Sequence, residues 1–360
     1  MGYRYIGTKL RILPQILSVI EDIVHPGACV ADLMCGTSTV SAELRRRGFR
    51  VIANDIMTYA YHHAKVSLLF TSPPSFKKAN SFLEEFCPDF FEELFPLTQY
   101  ERMLKALGNV PPVKGYFHRE FSIEGKPQNT DKHRNYFSAN NAKKIDGIRI
   151  WLRKLQEGSQ TTELERSLLL HDLIMAANDV ANIAGTYGHY MAKLHGRAND
   201  TLRLTPTQLL ILNDEGKHTV VQGSAEDIAK SITCDLCYID PPYMKRQYAA
   251  NYHILETIAR EDEPEAIGVS GLRPWRDQYS NFCTKTKIRD SFRQILTDIK
   301  CPHILLSYSE DGLLSLKELE VLFSEFGNVR TMQFANKRFR SNRSKLSSEV
   351  TEYLFHVTRR

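Results

Sequence analysis

Apolar residues along the chain follow two spacings, and the change from one to the other marks the predicted elements. In residues 10–24 they recur every three or four positions, which predicts one face of a helix. Residues 28–34 and 50–53 are short apolar runs without that spacing, which predicts buried strands. A small-residue turn and a helix over 40–47 join them. This strand–turn–helix–strand unit predicts the opening of a doubly wound α/β sheet.

The pattern changes after residue 70. Residues 76–160 contain few strand signals, and 164–194 carry apolar residues at helical spacing, interrupted near Gly185 and Gly188. Strand patterns return at 218–221, 236–239, 303–307, 329–334 and 349–357. The last two predict an antiparallel hairpin. The sheet is therefore expected to begin near the amino terminus, to be interrupted by a mostly helical insertion, and to resume near residue 216.

Composition and charge limit the class of protein. The 360 residues are 42% hydrophobic and 25% charged, which is typical of a globular protein in water. No apolar run could span a bilayer and residues 1–9 lack a signal-peptide core, so we expect a cytoplasmic protein without a membrane partner. The net charge of +5 permits an anionic partner such as nucleic acid.

The seven cysteines are odd in number and scattered through apolar segments, which favours reduced thiols. Cys234 and Cys237 have the spacing of a zinc or redox pair. A structural zinc ion needs four ligands, and no second pair follows at a suitable distance. We therefore expect both thiols to pack in the interior, and we expect no metal site.

The strand predicted over 236–239 ends in Asp240, Pro241, Pro242 and Tyr243. The two prolines stop the strand, because neither can donate a backbone hydrogen bond. Asp240 and Tyr243 are then held on a stiff turn at the carboxyl end of a strand, where α/β sheets bind ligands. The alternative is a strand-ending turn with a capping carboxylate.

Two further strands end in acidic residues. Asp32 precedes a turn in which Gly36 lets a ligand approach the backbone, and Asp55 ends the next strand. Asp55 is placed to accept ribose hydroxyls, and Asp32 either accepts from a ligand ammonium group or caps the following helix. The phosphate-binding Gly-x-Gly-x-x-Gly pattern is absent. A nucleoside cofactor without pyrophosphate is predicted, and S-adenosyl-L-methionine fits.

Three other residues are cofactor candidates. Asp227 follows the strand at 218–221 and could accept from an adenine amino group, or cap a helix. Lys9 could pair with a carboxylate and Tyr5 could pack on the ligand. Their alternative is an ordinary helix start.

These motifs occur in one order: Tyr5-x-Gly-x-Lys9, Asp32-Leu-x-x-Gly36, Asp55, Asp227 and Asp240-Pro-Pro-Tyr243. The order resembles that of the Dam-type (alpha-group, D12 class) DNA adenine N6-methyltransferases, and residues 247–260 and 306–309 resemble the family's continuation. The family usually has a second glycine where this chain has Ser38, and an aromatic residue where it has Met34.

The resemblance implies a doubly wound S-adenosylmethionine-dependent methyltransferase sheet with a mostly helical target-recognition insertion. It implies three parts: a cofactor-binding part of the catalytic domain (1–70), the insertion (71–215), and the rest of the catalytic domain with its hairpin (216–360). The implied partner is double-stranded DNA in a restriction–modification system, whose endonuclease acts on the same site without a stable complex.

The implied chemistry is methyl transfer to N6 of a flipped-out adenine. Asp240 and the carbonyl of Pro241 accept the amino hydrogens, Pro242 stiffens the turn, and Tyr243 stacks on the base. The expected cofactor residues are Tyr5, Lys9, Asp32, Gly36, Asp55, Asp227 and Asp240.

Basic residues at two places are predicted to hold DNA phosphates. Lys245 and Arg246 follow the catalytic motif, and a second group lies between the last two strands at Lys337, Arg338, Arg340, Arg343 and Lys345. The alternative for both groups is a solvated surface.

Two other functions remain open at this point. The same chemistry could act on RNA adenine or on cytosine N4, because Asp-Pro-Pro-Tyr does not choose the polymer. The chain could also be a non-catalytic nucleic-acid-binding module on a methyltransferase scaffold, which the residues at positions 34 and 38 favour weakly.

Overall fold

The computed structural model describes residues 9–88, 96–337 and 349–359. The strands within these ranges are β1 (Cys29–Asp32), β2 (Arg50–Asp55), β3 (Thr219–Gln222), β4 (Leu236–Ile239), β5 (His303–Ser309), β6 (Gly327–Lys337) and β7 (Glu349–Arg359). The α-helices are α1 (Leu13–Ile23), α2 (Thr39–Arg46), α3 (Thr58–Leu68), α4 (Asn80–Phe86), α5 (Gln99–Asn109), α6 (Tyr116–Phe121), α7 (Ala139–Glu157), α8 (Glu163–Asp179), α9 (Ala225–Ile228), α10 (Tyr248–Asn251), α11 (His253–Arg260), α12 (Ile288–Asp298) and α13 (Leu316–Ser324). Short 3-10 turns lie at Lys77–Ala79, Gly196–Asn199, Ala229–Ser231, Arg276–Gln278 and Asn281–Cys283.

These strands form one mixed sheet in the order β3-β2-β1-β4-β5-β7-β6. The pairs from β3 to β5 are parallel, and β7 lies antiparallel between β5 and β6. Connections run one way from β1 through β2 to β3, and the other way from β4 to β5, so the order reverses between β1 and β4. That reversal is a topological switch point, where ligands bind outside the carboxyl ends of the strands.

Helices cover both faces of the central strands. Every residue of β1 and β4 is buried, and neighbouring side chains in a strand point to opposite faces. Cys29 and Ala31 of β1, and Leu33 directly after it, join a core with apolar side chains of α12 and α13. On the same sheet, α2 and α3 pack against β1 and β2. The predicted doubly wound α/β class is confirmed.

Cys234 and Cys237 are buried in that core, as the sequence predicts. All seven cysteines are free thiols, and all are buried. Among the residues that the structure describes, no group of three or more His, Cys, Asp or Glu side chains could hold a metal ion. No helix in the described ranges is long and apolar enough to cross a membrane.

The described chain divides into two compact units. One comprises 9–68, 214–248 and 278–359 and contains the sheet; the other comprises 69–213 and 249–277. The second unit is mostly helical, with α7 packed against α6 and α8, and α8 packed against α11. This second unit therefore contains residues 249–277 in addition to most of the predicted insertion.

The sequence predicts helix over residues 180–194 with an interruption near Gly185 and Gly188. In the structure α8 ends at Asp179, residues 180–194 are irregular, and a short 3-10 turn follows at Gly196–Asn199. Their backbone groups find partners outside a helix. The N–H of Asn182 donates to the carbonyl of Tyr136 at 2.8 Å, and the N–H of Tyr187 donates to the carbonyl of Asn251 at 2.8 Å. Tertiary contacts thus override an apolar spacing that by itself favours helix.

The packing of α13 can be tested with two neighbouring residues. Leu322 is 2% exposed in the core, whereas Val321 is 59% exposed on the same helix. We expect Leu322→Ala to lower the free energy of unfolding by about 2–5 kcal/mol, because it leaves a cavity. The matched Val321→Ala change should stay within about 0.5 kcal/mol. Urea unfolding measures both, and equal losses would contradict this packing.

Candidate active site

The candidate site lies at the carboxyl ends of β1, β2 and β4. Asp32 ends β1, Asp55 ends β2, and Asp240 follows the last residue of β4. Parallel strands bring their carboxyl ends to one edge of the sheet, so three carboxylates that are distant in sequence come to the same edge. Asp32 lies opposite Tyr238 in the register between β1 and β4.

The turn after β1 is fixed by Asp55. The N–H of Gly36 donates to Asp55 Oδ2 at 2.8 Å, and the N–H of Met57 donates to Asp55 Oδ1 at 2.9 Å. Gly36 has a φ of 51°, in the left-handed region that glycine adopts without steric cost. The carboxylate predicted to bind ribose thus also holds the backbone of the neighbouring turn.

Ser38 has a φ of 60° and is also left-handed. A residue with a Cβ is strained in this conformation by about 1–2 kcal/mol. The Ser38 side chain is fully buried, and its hydroxyl donates to Cys35 Sγ at 3.7 Å. The serine therefore keeps the turn that glycine would form.

Asp32 is buried, and one of its two carboxylate oxygens accepts a hydrogen bond within the described residues. The Ser41 hydroxyl donates to Asp32 Oδ2 at 2.7 Å. The other oxygen, Oδ1, is buried without a hydrogen-bond partner among the described residues. Burial raises the pKa of Asp32 to about 7, against the lowering effect of the Ser41 hydrogen bond. An unpartnered buried acceptor is costly, so this oxygen is suited to accept a donor from a ligand.

Lys9 connects the start of the described chain to the Asp-Pro-Pro-Tyr turn. Its ammonium lies 3.0 Å from Asp240 Oδ1 and 3.4 Å from Glu352 Oε2. It also lies 5.3 Å from the centre of the Tyr243 ring, in a cation–π contact. Lys9 and Glu352 are buried, and Asp240 is largely so. One cation thus compensates two carboxylates in a site from which water is mostly excluded.

Burial and charge act in opposite directions in this cluster. Burial by itself would lower the pKa of Lys9, but attraction to Asp240, Tyr243 and Glu352 outweighs it, so the pKa lies well above its usual value. Burial raises the pKa values of Asp240 and Glu352, and the Lys9 ammonium partly offsets both rises.

Tyr243 is oriented by its surroundings. Its ring lies 5.3 Å from the ring of Tyr308, tilted by 53°, and its carbonyl accepts the N–H of Leu313 at 3.0 Å. Burial raises the pKa of Tyr243 to about 12, so the phenol is neutral near pH 7. Pro241 is buried, and the carbonyl of Pro242 accepts from Cys283 Sγ at 3.7 Å.

Asp227 stands apart from this cluster. It lies on α9 with its side chain 73% exposed, hydrogen-bonded to the Ser224 hydroxyl at 2.8 Å and paired with Lys230 at 3.1 Å. These contacts hold the start of α9, and they lower the pKa of Asp227. Its predicted cofactor role stays a prediction.

The predicted DNA-binding residues are placed in part. Lys245 and Arg246 are exposed, shortly after the Asp-Pro-Pro-Tyr turn. Lys337 is the last residue of β6. Tyr5 and the basic residues Arg338, Arg340, Arg343 and Lys345 lie outside the described residues.

Sequence reasoning missed Ser41 and Glu352. Glu352 points inward on β7, in phase with the buried Val350 and Leu354, and pairs with Ser309 in the antiparallel register. A carboxylate on the apolar face of a predicted strand is the signal that could have found it. Ser41 lies two residues into α2 and gives no comparable signal.

Fold and site together define the class of protein. A doubly wound sheet carries acidic residues at the switch point, without a pyrophosphate-binding loop, and an Asp-Pro-Pro-Tyr turn next to them. This combination is that of an α/β methyltransferase.

The family follows from comparison with known proteins. The model of the D12 class N6 adenine-specific DNA methyltransferases matches residues 5–322, and the chain belongs to this family. It is similar to Type II methyltransferase M.FokI of Planomicrobium okeanokoites, with 32% identity over 98% of this chain and 52% of that protein. It is also similar to modification methylase StsI of Streptococcus sanguinis, with 30% identity over 99% of this chain and 52% of that protein.

A third relative has a similar length. Type II methyltransferase M.NlaIII of Neisseria lactamica is 29% identical over 97% of both chains. The chain thus spans about half the length of the first two relatives and nearly all of the third.

The charge cluster predicts a pH-dependent stability defect in Lys9→Met. Removing the cation leaves Asp240 and Glu352 uncompensated, so we expect the free energy of unfolding to fall by about 3–5 kcal/mol near pH 8. Both carboxylates would then have pKa values raised further above their unfolded values. Their protonated forms stabilise the folded state, so the defect should shrink as pH falls toward about 5.

Urea unfolding of wild type and variant at both pH values measures this defect. The control is Glu352→Gln in the Lys9→Met background, which removes one of the two unpaired charges and should restore part of the loss. A defect of equal size at both pH values would contradict the cluster.

Proposed function

We propose that this protein transfers a methyl group from S-adenosyl-L-methionine to N6 of adenine in double-stranded DNA. The observation that carries the proposal is the Asp240 carboxylate, held by buried Lys9 at the carboxyl end of β4, next to the half-satisfied Asp32 at the end of β1. Membership of the D12 class supports the same activity.

The residues around β1 and β2 fit the proposed cofactor. Asp32 Oδ1 offers a buried acceptor for an α-ammonium group, and the left-handed turn at Gly36 leaves the backbone open to close approach. Asp55 ends β2 at this edge of the sheet, where an acidic residue could accept from ribose hydroxyls. When bound, S-adenosylmethionine supplies a methyl group already activated on its sulfonium.

Asp240 and Tyr243 fit the proposed acceptor. The adenine amino nitrogen is a weak nucleophile, because its lone pair is delocalised into the ring. A carboxylate and the Pro241 carbonyl that accept its hydrogens localise that pair, which stabilises the transition state without a covalent intermediate. Lys9 partly offsets the burial that raises the pKa of Asp240, and Tyr243 offers a fixed ring for stacking. Such a pocket requires the base to leave the duplex.

The proposal extends to partners and compartment. Lys245 and Arg246 are exposed beside the catalytic turn, where they could contact phosphates. A cognate endonuclease would act on the same sequence without a stable complex, and the cytoplasm is the proposed compartment. The RNA and cytosine-N4 alternatives are tested by competing RNA and cytosine-containing duplexes against adenine-containing duplex DNA.

Asp240→Asn tests the proposed chemistry. The amide keeps the size of the side chain but cannot accept both amino hydrogens as an anion does, so kcat should fall by about 10²–10³-fold or more. The measurement is tritium transfer from labelled S-adenosylmethionine to duplex DNA, followed by digestion to N6-methyladenine. The matched control is Asp235→Asn at the opposite end of β4, where Asp235 accepts the N–H of Cys29.

The control should retain activity within about threefold, because its change lies away from the proposed transition state. Wild-type protein that transfers no label to any duplex, under conditions in which it is folded, would refute the proposed function. Equal activity of wild type and Asp240→Asn would refute the role of Asp240.

The pKa of Asp32 predicts how cofactor affinity depends on pH. The carboxylate must be ionised to accept from an ammonium group, and its pKa is about 7. As pH falls below 7, binding must displace a proton, so Kd should rise by up to about tenfold per pH unit. Calorimetry with S-adenosylmethionine from about pH 8 to about pH 5.5 measures this.

Asp32→Asn is the control for that titration. It should bind more weakly near pH 8 and lose most of the pH dependence, because the amide does not ionise there. A wild-type Kd that stays constant over the same range would contradict the assignment of Asp32.

A further inference from the structure

Residues 180–199 form an irregular segment of the helical unit, called here the anchored loop. It follows α8 and ends in the short turn at Gly196–Asn199. Loops of this length without regular structure are uncommon in compact proteins and usually carry function or are disordered. The contacts that its residues make indicate an ordered loop and not a disordered one.

A buried side-chain amide holds the loop together. Asn182 is buried, and its Nδ2 donates to the carbonyls of Asn135 and Met191, each at 2.8 Å. Its Oδ1 accepts the N–H of His195 at 3.2 Å. The N–H of Met191 also donates to the carbonyl of Asn182 at 3.0 Å. One residue thus closes the loop across nine and thirteen positions.

Tyr187 provides a second anchor. Its side chain is fully buried, and its hydroxyl donates to Asn178 Oδ1 at 3.1 Å. Its carbonyl accepts from the Tyr136 hydroxyl at 2.6 Å and from His253 Nε2 at 3.1 Å. A loop whose backbone is bonded to buried side chains at several points presents its exposed residues in a fixed arrangement.

Four of the exposed side chains in this loop are basic. They are His189, Lys193, His195 and Arg197; no Asp or Glu occurs in residues 180–199, although Asp179, which lies 3.6 Å from Arg197, and Asp200 flank the loop. A pocket of about 400 Å³ lies here, lined in part by Ile183, Met191, His195 and Arg197. The segment 261–266 of the same unit instead carries four carboxylates. The charge of the anchored loop is therefore complementary to phosphate, and that of 261–266 is not.

We propose that the anchored loop is a contact surface for duplex DNA. Lys193 and Arg197 would contact phosphates, and His195, which lines the pocket, would face base edges. This rests on the proposed function, and it adds a binding surface at which the helical unit engages the substrate. Cations set affinity and register on the duplex, whereas side chains at base edges set the sequence preference.

The test compares two double variants of equal charge. Lys193→Ala with Arg197→Ala removes two cations from the loop, and Lys78→Ala with Arg153→Ala removes two exposed cations elsewhere in the same unit. The arginines are matched, because Arg197 is 43% exposed and 3.6 Å from Asp179, while Arg153 is 39% exposed and 3.4 Å from Glu263. Duplex affinity is measured over a series of salt concentrations with the full chain.

We expect the loop variant to bind duplex DNA at least about tenfold more weakly, with a salt slope smaller by about 1.8 for two lost phosphate contacts. The control variant should bind within about twofold of wild type. Both should retain the wild-type affinity for S-adenosylmethionine. Loop and control variants with equal DNA affinity would overturn the proposal, as would a loop variant that loses RNA binding and keeps DNA binding.

A measurement on wild-type protein covers the case in which the loop variant does not fold. Duplex DNA should protect Lys193, but not Lys78, from a lysine-acylating reagent, as read by peptide mass spectrometry. Equal protection of both lysines would overturn the proposal. Wild-type protein that methylates DNA while its loop lysine stays unprotected refutes only this inference. Wild type that neither binds nor methylates DNA refutes the proposed function as well.

Discussion

The arrangement of the site depends on the compensation of charge around Lys9. Its ammonium is buried between Asp240 and Glu352, and each of the three comes from a different part of the chain. A buried charge that loses its partner is far more costly than one exposed to water, so the three segments must meet in one geometry. The Asp-Pro-Pro-Tyr turn is therefore held by electrostatics as well as by the stiffness of its two prolines.

The antiparallel placement of β7 brings Glu352 to Lys9. This strand lies antiparallel between β5 and β6, and its register places Glu352 beside Ser309 near the carboxyl end of β5. A parallel strand in that place would bring its carboxyl end to this edge instead. The antiparallel strand delivers a mid-strand carboxylate to the site, while the apolar residues of the same strand continue the core.

Asp32 and Asp240 lie at the same edge of the sheet, but the groups around them affect their pKa values differently. Burial raises the pKa of Asp32 to about 7, although the Ser41 hydroxyl donates to one of its oxygens; the other oxygen has no donor among the described residues. Asp240 is also buried, but a cation opposes the rise of its pKa. The first environment suits an acceptor for a charged donor from a ligand, and in the second a protein cation already compensates the carboxylate. The anchored loop shows a related device in the helical unit, where the buried amide of Asn182 orders irregular backbone.

Local signals in the sequence determined the fold class and most of the elements around the site. Apolar runs predicted β1, β2 and β4, two strand patterns separated by a basic turn predicted the hairpin of β6 and β7, and Asp240-Pro-Pro-Tyr243 marked the end of β4. These succeed because strand period and proline chemistry act within a few residues. Tertiary structure alone decided the pairing of Lys9 with Glu352, since 343 residues separate them. It also decided that residues 180–194 form a loop and not a helix, because partners distant in sequence satisfy their backbone groups.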